Sequence, residues 1–161
     1  MAWLTVLFII LVAISPIFWM RNTPDQNRLE KVRARARSNG ISIVLHKRPD
    51  AREKETRLAV VCYKLPWRAI SPKNNWVLHR NSNRGWKSDI RGWQWSSGDA
   101  IKLRGTDVES VIDTMPDTVT AVILDRQGVG LIWNEVEGEE MVPLILEKLQ
   151  SLRSFFEKTF L

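Results

Sequence analysis

Cys62, His46 and His79 are the side chains best suited to nucleophilic or metal chemistry, and their spacing brings no two of them together. Cys62 is the sole cysteine and lies in the apolar run LAVVCYKL with no charged residue adjacent to favour its thiolate, so it reads as a small core filler. One cysteine excludes an intramolecular disulfide and fits a reducing compartment. A zinc site draws four ligands that are often clustered in sequence, whereas each histidine stands alone in a strand-like stretch, as a surface or hydrogen-bonded imidazole would. Asp113 with Asp117 and Glu139 with Glu140 fall at a helix end and a helix start, where capping and the helix dipole account for them. No phosphate loop, dinucleotide fingerprint or nucleophile elbow occurs, and Gly128-Val129-Gly130 leads into a strand instead of a helix. These residues imply no catalysis, no cofactor and no metal.

RGWKSDIRGWQW, Arg84 to Trp95, is the remaining constellation: three of the chain's eight tryptophans interleaved with Arg84, Lys87 and Arg91. Such rings can stack on single-stranded nucleic acid, anchor at a membrane surface, or fill the core of a small sheet. Trp67, Trp76, Trp86, Trp93 and Trp95 all fall in a basic region, as in single-strand binders, but no accompanying nucleic-acid-binding signature is present. GWQWSS has the alternation of a short strand with Trp93 and Trp95 on one face, packed in the sheet. Trp86 with Arg84, Lys87 and Arg91 is assigned to the preceding loop, exposed, as a candidate lipid or partner contact.

Charge is distributed unevenly. From Arg21 to Arg57 the chain carries 11 basic and 5 acidic residues, from Leu58 to Arg104 9 and 2, and from Gly105 to Leu161 4 and 11. A basic front and an acidic back can orient a domain on an anionic surface or pair its two halves.

The elements that position these residues follow from periodicity and punctuation. Thr23, Pro24 and Gln26 read as an N-cap, a first-turn proline and a capping-box partner, starting a helix that stops at Asn39-Gly40. Leu29, Val32 and Ala36 form its thin apolar stripe, and Arg28, Lys31 and Arg35 belong to a strongly basic remainder, also a candidate lipid or partner contact. Strands are predicted over Ile41 to Lys47, Arg57 to Leu65 and Asn75 to Asn81, the second one apolar on both faces and therefore central. Asp107 to Met115 is a short helix, TVTAVILD and VGLIWNE form a hairpin turning at Asp125 to Gly128, and a last helix from about Glu139 carries Ile145, Leu149, Leu152 and Phe156 on one face. The expected class is α+β, an antiparallel sheet covered by helices on one face, preceded by a transmembrane helix.

That transmembrane helix is AWLTVLFIILVAISPIFWM, Ala2 to Met20, uncharged and long enough at about 1.5 Å per residue to cross the hydrocarbon. Trp3, Trp19 and Arg21 are placed at the membrane interface. No basic residue precedes the segment, so it is read as a retained anchor and not a cleaved signal. Arg21, Arg28, Lys31, Arg33, Arg35 and Arg37 follow it, which places the carboxyl-terminal domain in the cytoplasm and the amino terminus in the periplasm. The expected organisation is an anchor over 1–21, a basic juxtamembrane helix over 22–40 and a cytoplasmic α+β domain over 41–161.

The apolar head ending SPIFWMRNTP, the basic RLEKVRARARSNGI helix and the central CYKLPW and WQW together resemble a family of small single-pass gammaproteobacterial inner-membrane proteins often labelled preprotein translocase subunit YajC. Ser38-Asn39-Gly40 followed by ISIVLHK is loosely similar to the glycine-containing pattern of YajC itself. The resemblance implies a non-enzymatic accessory or scaffold subunit of an inner-membrane assembly, associated with preprotein translocation, and supplies no catalytic residues. Its expected partners are the lipid bilayer, with anionic headgroups, and an inner-membrane protein; nucleic acid is not expected. The alternative is a membrane-tethered binding module for nucleic acid or anionic lipid.

Overall fold

The computed structural model describes residues 3, 4, 6, 7, 10, 12, 23–52, 55, 59–68, 75–98 and 105–160. Helix α1, Pro24–Ser38, starts as its sequence requires: the Thr23 N–H donates to Gln26 Oε1 at 3.0 Å and the Gln26 N–H to Thr23 Oγ1 at 3.4 Å. It ends where the Asn39 backbone and side chain both donate to the Arg35 carbonyl and Gly40 takes φ +79°.

Among the described residues seven strands form one sheet, antiparallel throughout: β1 Ser42–Lys47, β2 Ala59–Pro66, β3 Trp76–His79, β4 Trp86–Lys87, β5 Gln94–Ser97, β6 Val119–Asp125 and β7 Gly128–Trp133. Their spatial order is β1-β2-β7-β6-β3-β5-β4. Helix α2, Asp107–Asp113, precedes the β6–β7 hairpin, and a short 3₁₀ turn, Glu139–Met141, leads into α3, Val142–Phe160. The predicted hairpin closes with Asp125 opposite Gly128. The strand with two apolar faces, β2, lies inside the sheet between β1 and β7. One strand more than expected precedes α2: Trp86 and Lys87 pair with Trp95 and Gln94 and so belong to the sheet's edge, not to a loop.

Alternation assigns the faces. Tyr63, Leu65, Trp76, Leu78, Trp95, Val122, Leu124, Val129, Leu131 and Trp133 form one core with Val32 and Ala36 of α1, Val108 and Ile112 of α2, and Ile145, Leu149, Leu152 and Phe156 of α3. Each fully buried aliphatic or aromatic side chain of this kind contributes about 1.5–3 kcal/mol. Helix α1 is thereby part of the domain's core and not only a connection to it. The opposite face carries a smaller cluster, Cys62, Val77, Ala121, Ile123 and Ile132, with Val44 and Val60 against it. Glycine shapes that face: a Cβ on Gly130 would stand 2.6 Å from Cys62 Sγ, and one on Gly128 2.2 Å from the Leu65 carbonyl oxygen. Leu45, in register with the helix-covered face, is 75% exposed because an edge strand has a neighbour on one side only.

Among the described residues no helix is long and apolar enough to cross a membrane. Most of Ala2 to Met20, with Trp19 and Arg21, lies outside the described residues; Trp3 is described, helical and exposed.

Candidate functional site

The tryptophan-rich stretch divides. Trp76, Trp93 and Trp95 are buried, Trp76 packing edge-on against Trp95 at 5.3 Å and against Phe156 at 5.4 Å between ring centroids. Trp67 is half-buried and donates its indole N–H to the Asp125 carbonyl at 2.8 Å. Trp86 alone of the five is exposed, at 46%. The basic third therefore presents no row of rings for successive bases. Lys87 and Arg91 are exposed at the tip of the β4–β5 hairpin, whereas half-buried Arg84 donates Nη1 to the Asp50 carbonyl at 2.6 Å and ties the β1–β2 connection down. The tip is ordered from within: Ser88 Oγ donates to Ile90 O at 2.9 Å, and the Ile90 side chain is buried.

The basic helix meets the acidic back of the chain. Arg28 donates Nη1 to the Val136 carbonyl at 2.5 Å, and Arg35 lies 3.9 Å from Glu139. Lys31 points to solvent. The central contact involves residues with no sequence signal. Arg33 grips Glu135 with two parallel bonds, Nε to Oε1 at 2.8 Å and Nη2 to Oε2 at 2.9 Å, and the Tyr63 hydroxyl donates to the same carboxylate. Glu135 is buried and holds φ at +60°, a left-handed conformation that a non-glycine residue adopts at some cost. Burial pushes its carboxyl up, but the Arg33 and Tyr63 hydrogen bonds and the Arg33 charge outweigh that and hold it below the ordinary carboxylate range. Burial, then the Glu135 bond, pushes the Tyr63 phenol up.

Beside this cluster a cleft of about 480 Å³ opens, walled by Arg48, Asp50, Asn81, Thr120, Asn134 and Glu135. Its charged groups already have partners: Arg48 binds Asp50 at 2.8 Å and also Glu55, and Glu135 is held by Arg33 and Tyr63. Cys62 is buried, and burial pushes its thiol up to about 12, which leaves it protonated. Among the described residues no three histidine, cysteine or carboxylate side chains are grouped to hold a metal ion. His79 is fully buried on the second face of the sheet with Nε2 3.1 Å from the Arg84 carbonyl, and His46 is half-buried with Nδ1 2.6 Å from the Lys47 carbonyl.

These contacts run along one rim of the sheet. Trp93 lies under the Arg80 guanidinium at 4.9 Å, and Arg80 donates to the Pro116 carbonyl and reaches Asp117 at 3.5 Å. Thr118 accepts the Asn134 N–H at 3.1 Å through its carbonyl and donates its hydroxyl to Glu137, and Val136 accepts Arg28. The hairpin tip and the first turns of α1 are thus joined by an unbroken chain of contacts. Comparison of the chain with family models, curated proteins and solved structures finds no match.

Proposed function

We propose that the protein is a membrane-anchored, non-enzymatic accessory or scaffold subunit of a bacterial inner-membrane assembly, with residues 1–21 as the span, the amino terminus in the periplasm and the α+β domain in the cytoplasm. The observation that carries this reading is the attachment of α1. Its cap, Thr23, comes three residues after the apolar segment ends at Met20, and the helix is clamped to the sheet through Val32, Ala36 and the Arg33–Glu135 pair. A span continued by such a helix fixes where the domain stands above the bilayer, which suits a subunit that presents a surface to a neighbour. Resemblance to proteins labelled YajC makes the preprotein translocase the first assembly to examine. Of the alternative, a membrane-tethered binding module for nucleic acid or anionic lipid, the nucleic-acid form loses support because three of the five rings it would use are buried.

The test is purification of the full-length protein from membranes in a mild detergent. Carbonate-resistant membrane association, cleavage of the domain only by protease on the cytoplasmic side, and migration in a complex containing translocase subunits are expected. Migration as an isolated protein–detergent particle would remove the scaffold reading.

A further inference from the structure

We propose that the rim of the sheet joining the start of α1 to the β4–β5 hairpin tip is a lipid-headgroup docking face, so that the domain touches an anionic bilayer at two points. The inference rests on the anchored reading given above.

Strand directions define the rim. Helix α1 holds Val136 through Arg28, near its beginning, and leads through Gly40 and Ile41 into β1, which pairs with β2 from Ser42 opposite Lys64 to Lys47 opposite Ala59. Because β2 in turn sets Lys64 opposite Gly130 and Cys62 opposite Ile132, β1 runs towards the end where β7 finishes at Trp133. The helix therefore begins at the Trp133–Val136 end of the sheet and finishes at the other. Continuing across the sheet, Val119 of β6 pairs with Trp133, His79 of β3 with Ala121, and Lys87 of β4 with Gln94, itself opposite His79. The turn after Lys87 consequently projects from the same end from which the chain runs back to its apolar segment.

Four strand spacings separate β7 from β4, roughly 19 Å, so a plane resting on this end meets both the anchor side and the hairpin tip. The chemistry of the far point suits such a plane: Trp86 is exposed on the face it shares with Trp95, Lys87 follows it on the opposite face, and the turn beyond exposes Arg91 together with Asp89, so the tip offers an amphipathic ring and a net positive charge. Near the anchor, Val136 is 60% exposed next to Arg28. The rim also carries acidic groups: Glu137 accepts from Thr118 and Trp133, Asp117 reaches Arg80 at 3.5 Å and Glu139 lies 3.9 Å from Arg35, while Asp89 and Glu140 are exposed. A peptide adding to the β4 edge is a poorer fit, because β4 offers two residues of backbone.

The experiment uses the full chain with Cys62→Ala, carrying an environment-sensitive fluorophore at Arg91→Cys or, as a control at the opposite end, at Arg126→Cys in the exposed β6–β7 turn. Both proteins are reconstituted in phosphatidylglycerol-rich and in pure phosphatidylcholine vesicles doped with a headgroup-labelled nitroxide lipid. Quenching at position 91 several-fold above that at position 126 in the anionic vesicles, reduced towards the control by Lys87→Glu, is the expected result. Equal quenching at the two positions overturns the docking face, as it would if the tip were reserved for a protein partner. Carbonate extraction of the same vesicles decides the anchor separately: release removes the anchored reading, while strong quenching at position 91 in a carbonate-extractable protein still upholds the docking face.

Discussion

Glu135 concentrates much of the domain's electrostatics on one carboxylate. It lies two residues past the end of β7 in a left-handed conformation and receives the Arg33 fork and the Tyr63 hydroxyl. Removing one member of a buried ion pair leaves the other uncompensated, a cost tempered here because the Arg33 side chain is 32% exposed. Glu135→Ala is expected to lower stability by about 1–3 kcal/mol in chemical denaturation, and Arg33→Leu with Glu135→Leu together by less than the two single changes summed. Trp86 and Trp95, paired across two strands, should respond very unequally to truncation. Trp95→Ala removes a fully buried ring from the core and should cost about 3–5 kcal/mol, whereas exposed Trp86→Ala should cost less than about 1 kcal/mol. Equal melting shifts for the two would contradict the placement of these rings. The burial of Trp93 and Trp95 was legible from period-2 alternation, whereas Trp86 was expected in a loop and is exposed on an edge strand; the Arg33–Tyr63–Glu135 cluster was not legible, because its members are brought together from a helix, an interior strand and a loop.

At the scale of elements, the β2–β7 contact depends on the absence of side chains. Gly130 sits opposite Lys64, and a Cβ there would stand only 2.6 Å from Cys62 Sγ. Gly130→Ala forces a shift and should cost about 1–3 kcal/mol, while adding Cys62→Ala should recover most of the loss by vacating the same space. Thermal melts of the two single variants and the double variant decide this, and simple additivity would show that the strain lies elsewhere. The alternation of VGLIWNE revealed the strand but not why glycines occupy its second face, since strand periodicity says nothing of which neighbour lies across the sheet. Helix α1 shows the converse: its capping box, proline and terminal Asn-Gly defined both ends locally, while its clamp on the sheet needed partners from Tyr63 to Glu139.

For the whole molecule, acidity should be the most revealing perturbant. Burial lowers the His79 imidazole below its ordinary value of 6.5, against the opposing pull of its bond to the Arg84 carbonyl and of Asp50. A depressed histidine binds fewer protons folded than unfolded, so its contribution is complete above pH 6.5 and lost as pH falls towards the lowered folded value. Glu135 adds a second loss below its ordinary value of 4.5, as the pH falls through its own lowered folded value. Melting temperature should therefore decline in two stages on acidification; His79→Asn should flatten the first and Glu135→Gln the second. A profile unchanged in both variants would contradict the assignment of these groups. The polarity between a basic front and an acidic back is used internally, in Arg33–Glu135, Arg35–Glu139, Lys64–Asp125 and Arg80–Asp117.

By itself the sequence determined the α+β class, the capped helix, the β6–β7 hairpin, the apolar faces of the last helix and the burial of Cys62, because each is written in local spacing, caps and turns. Tertiary structure alone decided the strand order, the inclusion of Trp86 and Lys87 in an edge strand, the clamp on Glu135 and the rim shared by α1 and the hairpin tip. Those depend on which distant segments meet, and antiparallel pairing between non-consecutive strands leaves no periodic mark on any one of them.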